Sequence, residues 1–146
     1  MKTLYLRYHC IGFLFAWALI GFGGPSSAIA QKQKSPKKVM KRMFKAATKN
    51  RPELLAGLCD PMNKGDSDTR KICALANWVE YASAAAWEEY RTAFQNAEIT
   101  GPAQFRDRQG TQLAKIPFRF ERRPGKWVQE EMNMVKRGDL WYLLSF

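Results

Sequence analysis

At Glu98 the spacing of apolar residues changes, and this change limits the fold more than any other feature of the chain. Before it, Val39, Met40, Met43, Phe44 and Ala47 recur at intervals of one, three and four, as do Ile72, Leu75, Ala76 and Val79 at three and four. The second series runs on through Ser83, Ala86, Trp87, Tyr90 and Phe94. Such spacing places side chains on one face of an α-helix. After Glu98, Ala114, Ile116, Phe118 and Phe120 alternate with Lys115, Pro117, Arg119 and Glu121, the period of a half-buried strand. Helical segments that all precede strand segments indicate an α+β domain, its helices packed on one face of a curved antiparallel sheet of about four strands.

The punctuation agrees with that division. Ser35 is placed to cap a helix opened by Pro36 and closed near Lys49 by Asn50, and a short second helix is expected in "PELLAGLC". "DPMNKGDSD" is loop by composition, with Asp66 or Ser67 as the next cap. From Thr69 the pattern predicts one long helix, or two with a break near residues 82–85. Gly101-Pro102 marks a bend or edge position, and "RPGK" at 123–126 and "KRGD" at 136–139 are hairpin turns. The closing run "LWYLLSF" is apolar at both parities, which predicts a strand central in the sheet.

The first thirty residues predict the compartment. Lys2 and Arg7 precede an acid-free apolar run from Cys10 to Gly24, followed by Pro25 and the small-residue triplet Ala28-Ile29-Ala30. The run is shorter than the ~20 residues of a membrane-spanning helix and has the layout of a secretory signal cleaved between Ala30 and Gln31. The expected mature chain has a frayed leader at 31–35 and a single domain at 36–146, exported to the periplasm or secreted. Cleavage would remove His9, the only histidine, and with it His-based acid/base, nucleophilic and zinc chemistry. No cofactor or metal is implied. Cys59 and Cys73 would remain; an oxidising compartment favours a disulfide between them over two buried thiols, and the spacing is not that of a C-x-x-C redox pair.

Charge is concentrated at one end. Without Lys2 and Arg7 the chain carries 22 basic and 13 acidic residues, a net +9, and residues 31–51 hold nine basic residues and no acid. The remainder, from Pro52 on, is balanced. A basic helix with an apolar stripe packs that stripe into its own core, lies on anionic lipid or binds an acidic partner, and the core arrangement is the commonest. Lys37, Lys38, Lys41, Arg42 and Lys45 are the candidates for an anionic-surface contact. Nucleic acid is not expected, since export separates the chain from it and Phe44 lies on the stripe instead of among the charges.

The element order of "SPKKVMKRMFKAATKN", a long helical section, and then "AEITGPAQFRDRQGTQLAKIPFRFERRPGKWVQEEMNMVKRGDLWYLLSF" resembles exported domains of the nuclear transport factor two superfamily, a cystatin-like α+β group. The closing "PGKW" and "MVKRGDLWYLLSF" are similar to that group's terminal hairpin. The resemblance implies a cone whose helices and concave sheet enclose a pocket. Some relatives use it catalytically, as ketosteroid isomerase and scytalone dehydratase do; many only bind. Neither enzyme's catalytic set is matched here residue by residue, so no catalytic residue is assigned. Trp78, Tyr90, Phe94, Glu130, Glu131 and Tyr142 are the candidates to line such a cavity, with Tyr81, Trp87, Trp127 and Trp141 as further aromatics. Glu130 and Glu131 are adjacent in a strand, so they point to opposite faces unless a β-bulge turns both outward. A carboxylate in the cavity, with Tyr90 or Tyr142 as partner, would be its general acid or base. The expected role is a non-enzymatic module of the bacterial envelope that binds an apolar small molecule or a partner protein. The alternatives are a metal-independent isomerase or dehydratase and a protein that contacts anionic membrane through residues 36–49.

Overall fold

The computed structural model describes residues 33–77 and 81–146, with only the backbone described at 81–83. The signal segment, its cleavage point between Ala30 and Gln31, and Trp78 lie outside the described residues. The fold is α+β, with the helices before the sheet in sequence.

Helix α1 (Pro36–Thr48) opens with Pro36, whose missing N–H has no partner to lose in a first turn. Ser35 takes the extended cap conformation but its hydroxyl makes no capping bond; its carbonyl oxygen accepts from the Lys38 and Val39 amides instead. The other end is closed by chain geometry. Asn50 adopts a left-handed φ of +52°, its amide donates to Ala47 O at 3.2 Å, and the Arg51 amide donates to Ala46 O at 2.9 Å. This is the paired closure of a Schellman motif, and asparagine tolerates its left-handed position better than other side-chain-bearing residues. The expected second helix shortens to a 3-10 turn at Pro52–Leu55, from which Leu55 is buried.

Helix α2 (Ser67–Ala74) is capped by Asp66, whose carboxylate accepts from the Thr69 amide at 2.7 Å. It ends at the 3-10 turn Leu75–Asn77, and α3 runs from Tyr81 to Phe94. There are thus two helices, but the break falls before residue 81 and not at 82–85. The alanines of "YASAAAW" are good helix formers and extend α3 without interruption.

Five strands follow: β1 (Glu98–Ile99), β2 (Gln104–Arg108), β3 (Thr111–Arg123), β4 (Lys126–Arg137) and β5 (Leu140–Ser145). The sheet is antiparallel in the order β1-β3-β4-β5, with β2 also pairing with β3. The fifth strand arises because one edge strand is broken in two. The Thr100 amide donates to Pro117 O at 3.0 Å, so Pro117, which lacks an N–H, presents its backbone to this same edge. Gly101 passes so close that a β-carbon there would sit 2.8 Å from Pro117 Cγ. The proline interrupts pairing and the glycine fits against its ring.

Alternation in β3 is as the sequence predicts: Ala114, Ile116, Phe118 and Phe120 are buried against the helices. They join Val39, Met40, Met43, Phe44, Ala46, Ala47, Leu55, Leu58, Trp87, Tyr90, Phe94, Met132, Met134, Trp141 and Leu143 in one core. At its centre the rings of Phe94 and Phe120 lie 5.1 Å apart, Phe118 and Phe120 5.8 Å, and Phe44 and Phe118 5.8 Å. Tyr90 and Phe94 are 4.9 Å apart.

The closing strand is not central. β5 is the last strand of the sheet, and irregular chain covers its outer edge. The Leu143 amide donates to Leu58 O at 2.8 Å, the Asp60 amide to Leu143 O at 3.2 Å, the Asp66 amide to Leu144 O at 2.9 Å, and the Trp141 amide to Gln33 O at 2.9 Å. Gln33, in the segment expected to fray, is buried and its side-chain amide donates to Gly57 O at 2.7 Å. In the "LWYLLSF" run Trp141 and Leu143 are buried toward the helices, whereas Leu140, Tyr142 and Leu144 are half-buried.

Two cross-links hold that loop. Cys59 and Cys73 form a disulfide with Cα atoms 6.0 Å apart, tying the segment after the first 3-10 turn to α2. Asp60, its side chain fully buried, accepts from Arg137 Nε at 3.1 Å, from Arg137 Nη2 at 2.8 Å and from the Met62 amide at 3.2 Å. The Arg137 hydrogen bonds hold the Asp60 carboxyl below the usual aspartate range, against a desolvation that acts the other way.

Candidate ligand groove between helices and sheet

A groove of about 570 Å³ opens between α2, α3 and the far end of β3 and β4. Ile72, Leu75, Phe94, Phe120, Val128 and Phe146 form its apolar lining, and Lys71, Glu89, Arg122 and Glu130 are among its charged residues. Its volume lies within the range of small-molecule sites.

The sequence candidates divide between two sides of the sheet. Tyr90, Phe94 and Glu130 line the groove; Glu131 and Tyr142 do not. Glu130 pairs with Phe118 and Glu131 with Pro117 in unbroken register, so no bulge turns the two acids together. Each points to its own face. Both are nonetheless exposed, because β4 has 12 residues and β5 only 6, which leaves the Glu130 stretch of β4 paired with β3 on one side and without a strand on the other. Glu131 is on the face away from the helices, where its carboxylate meets Lys115 Nζ at 2.8 Å. Tyr142 is on that same face, opposite Val135.

Tyr90 contributes its ring and not its hydroxyl. The phenol donates to Met43 O on α1 at 2.7 Å, and burial pushes its pKa well above the tyrosine range. Its one hydroxyl proton is therefore not available to the Glu130 carboxylate while that bond stands. Among the other aromatics, Trp87 is buried and donates through Nε1 to Asn50 Oδ1 at 2.8 Å, and Trp141 is core. Trp127 is half exposed on the far face, with the Arg119 guanidinium 5.0 Å from its ring centre.

The basic helix resolves into a packed stripe and a wet face. Lys37, Lys38, Lys41 and Lys45 are exposed, whereas Arg42 is buried and is removed from the anionic-surface set. Position 42 lies three residues after Val39 and four before Ala46, both buried, so helical geometry places it on the stripe. Its Nη2 reaches Ala56 O at 3.4 Å, and its Nε and Nη1 have no hydrogen-bond partner among the described residues. Burial lowers the guanidinium pKa.

Two groove residues have different degrees of visibility in the sequence. Phe120 is marked by the alternation of β3. Phe146 is not, because strict alternation would place Ser145 beside Trp141 and Leu143. A bulge at Leu144 shifts the register, so Ser145 pairs with Asn133 and the Phe146 ring packs edge-on to Phe94 at 6.2 Å. Comparison with family models, with curated proteins and with solved structures returns no match for this chain.

Proposed function

We propose that this is an exported envelope protein that works by binding, and that the groove between α2, α3 and the sheet holds an apolar small molecule or an apolar segment of a partner protein. The observation that carries the reading is the groove itself: a floor of Phe94, Phe120, Phe146 and aliphatic side chains, reachable from outside and flanked by charge. Apolar surface left accessible in this way is the ordinary means of taking up an apolar ligand. The Cys59–Cys73 disulfide is compatible with export, as the amino-terminal signal pattern predicts. The superfamily resemblance, with its enclosing cone, belongs to the same proposal. An acid/base role would fall to Glu130, which reaches the groove without the tyrosine partner that the sequence offered it.

The test pairs recovery with a blocking variant. Protein isolated unreduced from a periplasmic fraction is examined by native mass spectrometry and titrated with the neutral fluorophore N-phenyl-1-naphthylamine. Ala86 is exposed and lines the groove, so Ala86→Trp fills the space without disturbing the core. Bound mass lost on activation, and probe binding abolished by Ala86→Trp, are the expected results. Bare protein that takes up no probe, or probe binding indifferent to Ala86→Trp, refutes the reading.

A second reading rests on α1. With the apolar stripe packed in the core, Lys37, Lys38, Lys41 and Lys45 form a cationic face able to meet an anionic surface without insertion.

A further inference from the structure

The far face of the sheet carries a second concavity, its floor aliphatic and the charges of its walls mostly cationic. It has a volume of about 570 Å³ and spans from the β2–β3 turn, across β3 and β4, to the loop at 64–66 beside β5. Leu113, Val135 and Leu144 contribute its apolar floor, with Val135 only 1% exposed. A neighbouring hollow shares Leu113, Leu144 and Ser145 and adds Arg106 and Lys115 to the walls.

Pairing decides which of these charges are free to act. Arg137 is held by Asp60, and Lys115 by Glu131. Lys64, Arg106 and Arg108 are exposed and make no ion pair among the described residues. Among the described residues the one carboxylate in the walls is Asp66, whose two oxygens accept from the Thr69 amide at 2.7 Å and the Phe146 amide at 3.2 Å. Three unpaired cations thus surround an aliphatic floor. Taken as a whole the chain from Pro52 onward is charge-balanced, but here these three cations meet a single wall carboxylate, Asp66, which leaves the trough net positive.

We infer that this trough is a binding site for an amphiphilic anion: a single carboxylate or phosphate head recognised by Lys64, Arg106 and Arg108, on a short alkyl or aryl body laid over Leu113, Val135 and Leu144. Arginine forks and a lysine point charge suit such heads, and the apolar floor distinguishes an amphiphile from a free inorganic ion. The site is separate from the groove of the proposed function, which lies on the helix side of the sheet.

The experiment is a titration of the full mature chain with octyl phosphate below its micelle concentration, followed by methyl NMR, with inorganic phosphate and octanol as controls. Octyl phosphate should shift the methyls of Leu113, Val135 and Leu144, and bind more tightly than either control. The Lys64→Glu plus Arg108→Glu double variant changes only exposed side chains and should weaken binding about tenfold, while Ala86→Trp leaves it unchanged. Equal binding of inorganic phosphate overturns the assignment by making the floor irrelevant. Shifts confined to the methyls of Ile72, Leu75 and Val128 overturn it in favour of the groove. Binding only to anionic vesicles, with none of the monomer, assigns the cations to surface attraction and likewise overturns the trough.

Discussion

Replacing Asp60 with asparagine tests how the loop over β5 is held. The carboxylate has no solvent exposure and accepts three N–H groups, two of them from a guanidinium that is itself 23% exposed. Asparagine keeps the shape and one acceptor but removes the charge and turns an amide N–H₂ toward Arg137. Breaking a buried pair by removing one partner costs about 3–5 kcal/mol. Arg137 retains some water, so Asp60→Asn should cost about 2–3 kcal/mol, read as a lower urea midpoint at unchanged slope with the disulfide intact. The pH dependence supplies an independent check. Because the folded Asp60 pKa is depressed, its contribution is fully present above the unfolded value of about 3.9 and is lost as pH falls through the lower folded value. The stability gap between wild type and variant should therefore be largest near neutrality and close progressively in acid. A variant within about 0.5 kcal/mol of wild type at neutral pH would refute the argument, since that is the range of substitutions away from any structural feature. So would a gap that stays constant into acid.

Asn50 serves two functions that substitution can separate. Asn50→Ala removes the acceptor for the buried Trp87 indole and places alanine at φ +52°, for a combined loss of about 2–3 kcal/mol; Asn50→Gly relieves the backbone and should lose only about 1 kcal/mol. Thermal or urea unfolding ranks the two, and equal losses would mean that the left-handed geometry contributes nothing. Replacing both Cys59 and Cys73 with serine should lower stability by about 3 kcal/mol and speed hydrogen exchange at the Leu143 amide, whose acceptor Leu58 O sits in the tethered loop. Unchanged Leu143 protection would show that the Asp60–Arg137 pair holds the loop by itself.

The periodicities of the sequence determined the α+β class, the inward face of β3, the core stripe of α1 and the hairpin turns. Each is a local property: 3.6-residue and two-residue spacings, and the few residues that tolerate turn geometry, are written in neighbouring positions. Spacing alone also marks Arg42 as a stripe position, but its charge argued for the wet face and geometry prevailed. The rest depended on elements distant in sequence. β5 reads as central because its covering comes from the loop at 58–66 and from Gln33, contacts that no strand pattern announces. Glu130 is solvated because β4 outruns β5, and Phe146 reaches the groove because a bulge at Leu144 changes the parity. Charge behaves in the same way. From Pro52 onward the sequence balances basic and acidic residues, yet the ion pairs of Asp60 with Arg137 and of Glu131 with Lys115 leave Lys64, Arg106 and Arg108 without an ion-pair partner among the described residues. Residue counts fix net charge, whereas the local field depends on which partners the fold brings within a few ångströms.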